Sequence, residues 1–148
     1  IDTFSFIYQW FLVSLFTEFL FYWLHRYVHN NKDLYYYLHA SHHRWKNNSF
    51  ALVNHDLEII EIAIFSFCPA IPCIVLGVNW QVMMFHAMYT NWQGTYSHSG
   101  YHIPILDYLL LVDSRNHDNH HKYPNYNFAG GSMFNLMDKI FHTHRYIT

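Results

Sequence analysis

The stretch HRYVHNNKDLYYYLHASHH, residues 25–43, carries two histidine patterns in succession: His25 and His29 spaced HxxxH, then His39, His42 and His43 spaced HxxHH. Both recur after a long apolar interval. His98 and His102 repeat HxxxH, and His117, His120 and His121 repeat HxxHH. Imidazole is the commonest side-chain ligand for transition metals, and this set exceeds what one ion can use. Residues three or four apart share a helix face, so His25 can converge with His29, and His39 with His42 or His43. The adjacent pairs His42/His43 and His120/His121 diverge by about 100° on a helix. Such pairs suit two separate ions better than one. The spacing therefore predicts two metals, each held by about four or five nitrogens.

Working outward, the flanking segments are apolar. Thr3 to Leu24 is almost wholly apolar, broken by Gln9, Ser14, Thr17 and Glu18, and Ile62 to Val78 carries no charge. A membrane-spanning helix needs about 20 residues. The second run is marginal alone, but Gln81 to Met88 can continue it or return as a hairpin partner. Ile103 to Val112 is too short to span and contains Asp107. Charged residues are 12% of the chain, about half the usual share, and aromatics reach 21%, as suits a surface largely in lipid. The mean hydropathy of −0.06 is pulled down by histidine, asparagine and tyrosine concentrated in the clusters. Glu18, costly in lipid, should face the protein interior. Pro69 and Pro72, in FSFCPAIPCIV (residues 65–75), should kink or break a helix there, with Cys68 and Cys73 as buried thiols.

The basic residues set the topology. Arg26, Lys32, Arg44 and Lys46 precede the middle segment, Arg115, Lys122, Lys139 and Arg145 follow it, and none lies between Asn47 and Ser114. Both groups belong on the cytosolic side by the positive-inside rule, and both HxxHH boxes lie among them. An even number of crossings between them meets the charge pattern and the metal requirement together. The expected fold is all-α: an integral membrane helical bundle with a transmembrane hairpin and a cytosolic histidine-rich cap holding a dinuclear metal site. The chain divides as one domain into an apolar span (1–24), a first histidine half (25–58), a membrane hairpin (59–97) and a second histidine half (98–148). It begins at Ile1 in an apolar segment and is expected to be an excerpt of a longer protein.

Nitrogen-rich coordination suits Fe, Zn, Cu or Ni by ligand type. Carboxylate di-iron bundles use Glu-x-x-His, which does not occur here, and zinc hydrolases need only three protein ligands. A histidine-rich di-iron centre open to O₂ fits better. A second class of function is a membrane metal transporter or metal-binding protein with a histidine-lined path, whose ligands should lie near the bilayer midplane.

The motifs together resemble those of the fatty acid hydroxylase/sterol desaturase superfamily of membrane di-iron oxygenases, over about residues 20 to 143. Beyond the histidines, HHRWKNNSFAL (residues 42–52), the HDLE of His55 to Glu58, HSGYHIP (98–104), NHDNHH (116–121), NYNFA (125–129) and MDKIFHT (137–143) are each similar to superfamily elements. The likeness leans to sterol 25-hydroxylases and C4-methyl sterol oxidases. Departures are His102, where that branch commonly has Asn or Asp, Asn116 in place of a further histidine, Met137 in place of Trp, and His142 in place of Gly.

The resemblance implies two Fe ions (replaceable by Zn in a purified sample) and a lipid substrate, sterol or fatty acyl. It implies hydroxylation or desaturation of a C–H bond, with electrons from a cytochrome b5-type or reductase partner. The location implied is the endoplasmic reticulum in a eukaryote or the cytoplasmic membrane in a bacterium. No nucleic-acid partner is expected. The expected ligands are His25, His29, His39, His42, His43, His98, His102, His117, His120 and His121. His55, Glu58, Asp118 and Asp138 are candidates for supporting the ligand rings, since ligating imidazoles usually pass their other N–H to a carboxylate or carbonyl. His86, in MMFHAMY (residues 83–89), and Trp92 are candidates for lining the substrate path. KYPNYNFAGGS (122–132) reads as a loop from its Pro, Asn and Gly content, and Met133 to Phe141 as a short terminal helix.

Overall fold

The computed structural model describes residues 1–46 and 50–145. Positions 47–49, inside HHRWKNNSFAL, and 146–148 lie outside the described residues. The first helix, α1 (Thr3–Asn30), starts where the Asp2 carboxylate accepts the Ser5 N–H at 3.0 Å, an N-cap. It ends where Asn31 turns extended and its side chain caps the next turn, α2 (Lys32–Leu34), through the Asp33 and Leu34 N–H groups. One helix thus carries both the apolar segment and, on its last two turns, His25 and His29. The chain then tightens into a π-helical turn (Tyr35–His39) and 3₁₀ turns at His42–Arg44 and Ala51–His55.

The middle segment forms a helical hairpin, α3 (Ile59–Val75) and α4 (Trp80–Ser97). Gly77 turns the chain with φ +58°, a conformation that costs glycine little. The turn is tied to α1 where the Asn79 N–H donates to Gln9 Oε1 at 2.9 Å. The start of α3 and the ends of α1 and α4 therefore meet at one end of a three-helix bundle. Gln9 marks the other end, about 24 Å from His25 at 1.5 Å per residue. α3 continues through Pro69 and Pro72 rather than stopping there. Packing along α1 holds it, and one carbonyl of that stretch, Pro69 O, is taken up by the Cys73 thiol at 3.3 Å. Cys68 and Cys73 are free and buried. Glu18 is buried, with Oε1 accepting the Met137 N–H at 3.1 Å.

Past α4 come α5 (Pro104–Leu109), α6 (Ser114–Lys122), the loop through KYPNYNFAGGS, and α7 (Leu136–Ile140). Met133–Asn135, expected as helix, is a turn with φ of 44°, 54° and 57°, so the terminal helix begins only at Leu136. Tyr22, Phe128, Ala129 and Met137 form a small buried cluster that fastens the loop and α7 to α1. The regular elements among the described residues are all helical, and the β contact among them is the single bridge Val112–Ser132. α1 is long and apolar enough to cross a membrane. Large apolar side chains stand exposed along the bundle, among them Phe4, Phe11, Ile74, Trp80, Met88 and Trp92.

Two backbone positions make stability predictions. Gly131 has φ +87°, and a Cβ there would lie 2.5 Å from the Asp113 carbonyl oxygen. Gly131→Ala should destabilise the fold by about 2 kcal/mol or more. His142 has φ +56° and closes α7, with the Thr143 N–H donating back to Asp138 O at 2.8 Å, the arrangement that favours glycine at this position. His142→Gly relieves about 1–2 kcal/mol of left-handed strain against about 0.5–1 kcal/mol of added chain entropy. It should raise the melting temperature in detergent, and an unchanged or lower one would contradict the assignment.

Candidate metal centre

Nine of the ten predicted histidines converge into two groups. His25, His29, His39, His43 and His120 form one; His42, His98, His117 and His121 form the other; within each, the ligand nitrogens lie within 4.8 Å of one another. The adjacent pairs are split between the groups. His43 and His120 belong to the first, His42 and His121 to the second. The groups abut, with the His43 and His121 rings stacked at 4.6 Å.

Hydrogen bonds at the outward nitrogens say which way the rings face. His25 Nδ1 lies 2.6 Å from Phe128 O and His120 Nδ1 lies 2.7 Å from Tyr126 O. His39 Nδ1 bonds the Glu61 carboxylate, and His98 Nδ1 lies 2.7 Å from Gly94 O. A carbonyl or carboxylate can only accept, so Nδ1 carries the proton in each ring, and Nε2 presents a bare lone pair. Yet His25 Nε2 is 2.9 Å from His39 Nε2 and 3.2 Å from His120 Nε2. These lone pairs cannot hydrogen-bond to one another, and only a cation between them satisfies all three. In the second group His98 Nε2 lies 3.1 Å from His42 Nε2 and 2.7 Å from His117 Nε2. Metal–nitrogen bonds of about 2.1 Å at right angles put neighbouring nitrogens about 3.0 Å apart, so the imidazoles fit a metal ion in each group.

Burial keeps the rings neutral, as ligation requires. Desolvation first, then the neighbouring imidazoles, pushes His39, His43 and His117 well below the ordinary histidine range. Desolvation is also the largest cause at His42 and His120, each lowered to about 4.

The tenth histidine stands apart. α4 ends at Ser97, and Gly100 (φ +77°) breaks the helical phase, so His102 does not share a face with His98. It is a third exposed and pairs through Nδ1 with Asp107 at 2.5 Å. His55 and Glu58 are exposed; the Asp56 between them holds the turn after the HxxHH box through Arg44 Nη2 at 2.7 Å and through Trp45 Nε1. Asp118 is half-buried on α6. Asp138 acts at one remove. Its oxygens accept the Phe128 and Ala129 N–H groups, both at 2.8 Å, and the Thr143 hydroxyl at 2.7 Å, which fixes the carbonyl that orients His25. Glu61 was not singled out by the sequence. It sits in the first turn of an apolar helix, and its i,i+3 relation to Glu58 signals only a cap.

A cavity of about 210 Å³ opens beside the second group, between α1, α3 and α4 and the Ala129–Ser132 loop. Phe21, Phe65, Cys68, Gln93, His98 and His117 are among its walls. Gly130 closes it tightly, since a Cβ there would come 3.0 Å from His117 Nδ1. His86 and Trp92 lie elsewhere. His86 is buried as a tie between helices, its Nε2 2.9 Å from Thr17 Oγ1, and Trp92 points outward, 70% exposed.

Three packed helices, α3 antiparallel to α1 and α4, whose shared end gathers nine imidazoles define an α-helical histidine-box protein able to hold two metal ions. The chain belongs to the fatty acid hydroxylase family, whose model matches residues 10–143. It is similar to a very-long-chain aldehyde decarbonylase of Oryza sativa subsp. indica, 31% identical over 129 residues, covering 83% of this chain and 49% of the relative. It is also similar to lathosterol oxidase of Rattus norvegicus, 27% identical over 132 residues (84% and 41%). A third relative is sphinganine C4-monooxygenase 1 of Arabidopsis thaliana, 29% identical over 129 residues (83% and 48%). The chain thus spans about half the length of the curated relatives it matches. No solved structure matches it.

If the two groups are metal sites, His43→Ala and His121→Ala should each lower the metal bound to purified protein, measured by elemental analysis. His102→Ala should leave it unchanged. Full metal content in both of the first two variants would remove the assignment.

Proposed function

We propose that the protein is a membrane lipid oxygenase whose two metal positions hold iron. The observation that carries this is the pair of converging Nε2 clusters set against a largely apolar cavity. Two irons so held would supply the activation of O₂ that side chains alone cannot. The balance for hydroxylation is R–H + O₂ + 2e⁻ + 2H⁺ → R–OH + H₂O, so a cytochrome b5-type or reductase partner must deliver the electrons. Desaturation of the same C–H region is the variant.

The chain's own task is positional. Phe21, Phe65 and Cys68 offer apolar walls to a lipid carbon, and His98 and His117 stand at the edge of that space, so a C–H bond seated there lies beside the second group. Phe128, Ala129 and Met137 close the site against water from the loop side. The names of the relatives cover an aldehyde, a sterol and a sphingoid base, so the substrate class is a lipid, sterol or acyl.

Membrane placement rests on the exposed apolar surfaces of the bundle, too extensive for a water-facing face, and on α1. The separation of about 24 Å between Gln9 and His25 approaches the roughly 30 Å hydrocarbon thickness. The clusters then sit at one boundary, beside Arg26, Arg44 and Arg115, which makes that face cytosolic. A transporter's ligands should sit near midplane, and clusters at the end of the bundle favour the enzyme.

Lipidomics of membranes expressing the full-length protein, beside a His120→Ala control, tests this. At least one lipid should gain an oxygen or a double bond only in the wild type and only with O₂ and reductant present. Identical lipid profiles under those conditions would refute the proposal.

A further inference from the structure

The two imidazole groups are built from the same ligand type, but they are not supported alike. In the five-histidine group, the outward nitrogens of His25 and His120 meet backbone carbonyls, and that of His39 meets the Glu61 carboxylate. In the four-histidine group, His98 meets the Gly94 carbonyl. No carboxylate of the described residues bonds the outward nitrogens of His42, His117 or His121 in that group, nor that of His43 in the other, so Glu61 is the one carboxylate among the described residues seen to bond a ring of either group.

Glu61 is unusually well fixed. It is 1% exposed, one oxygen faces His39, and the other lies 3.3 Å from the Glu58 N–H at the start of α3. A buried carboxylate with both oxygens engaged holds the ring opposite it in one orientation and one tautomer. Opposite a bound divalent ion its carboxylate would also lend negative charge to a ligand set that is otherwise uncharged. A divalent ion in a neutral imidazole cage is costly to bury, and an anion hydrogen-bonded to one ligand lowers that cost.

We propose that Glu61 is a positioning residue that makes the two metal positions unequal: through His39 it strengthens the five-histidine group, which takes the first ion, while the four-histidine group beside the cavity takes the second. This rests on the dinuclear site of the proposed function, but not on any lipid being oxidised. The inequality also has a use. The position shared with substrate space has fewer protein ligands, and the one remote from it has more ligands and the anionic support.

The test is a titration of metal-free, full-length protein in detergent with Co²⁺, followed by its visible absorption. The wild type should take up two ions in two resolved steps. His43→Ala should remove the tighter step and His42→Ala the weaker one. Glu61→Gln removes the charge and keeps a single acceptor oxygen, which can serve the His39 N–H while the amide NH2 turns toward the cap. It should weaken the tighter step about 10- to 100-fold and leave the other within about threefold. Circular dichroism should show unchanged helix content in Glu61→Gln. Glu61→Leu removes both the charge and the acceptor, and should weaken the tighter step at least as much. A residue that serves only to cap α3 would weaken both steps equally or neither, and either result would overturn the proposal, as would two indistinguishable steps in the wild type. Those outcomes leave the dinuclear reading standing. Failure to bind any Co²⁺ overturns both.

Discussion

Bare imidazole nitrogens facing one another across about 3 Å are the constraint on which the rest depends. Phe128 O, Tyr126 O, Gly94 O and the Glu61 carboxylate each claim the proton of a ring, and so leave the opposite nitrogen as a lone pair pointing inward. Without a cation such an interior is repulsive and unsatisfied. With one in each group it would become a cross-link joining α1, the turns that carry the first HxxHH box, α6 and the end of α4. Those are the elements that meet at the end of the bundle, where otherwise few apolar contacts hold them. Metal binding and folding would therefore be linked, with the small hydrophobic cluster around Tyr22 as one part of the core and coordination as the other.

The elements that serve this centre are the ones a local reading treats as filler. KYPNYNFAGGS is a loop, as its composition predicts, yet its backbone carbonyls set the rings of His25 and His120, and its glycines let it press against His117 and Asp113. Asp138 anchors that loop from a helix beyond it. A chain of contacts thus runs from Asp138 to the Phe128 and Ala129 amides by hydrogen bonds of 2.8 Å, through the peptide between them to the Phe128 carbonyl, and from it to His25 at 2.6 Å. His142 sits next to this anchor in a left-handed conformation, where the superfamily pattern places glycine. The backbone shape is kept although the residue best suited to it is absent.

Much of the plan was legible from residue spacing. Adjacent histidines diverge on any helical turn, so the division of His42 from His43 and of His120 from His121 between two groups follows from helix geometry alone. The absence of basic residues between Asn47 and Ser114 called for a segment that leaves and returns, and α3 and α4 form such a hairpin. Where spacing misled, it presumed a continuous helix. His102 is four residues from His98, but Gly100 intervenes, and the i,i+4 relation has no meaning across a turn. Pro69 and Pro72 were expected to kink or break a helix there, and tertiary packing carries it through without a break. Trp92 and His86 lie in the segment that borders the cavity, but on faces of α4 that the sequence does not distinguish.

By itself, the sequence determined the helical class and the family, and it called for imidazole ligands in two sets, because each rests on local periodicity or on residue identity at short range. Only the tertiary structure decided which histidines converge into one group, that His102 joins neither, and which groups fix the rings. Glu61 meets His39 across 22 positions and Phe128 meets His25 across 103. Contacts at such separation arise from how helices pack, and packing is a property of the whole chain rather than of any window within it.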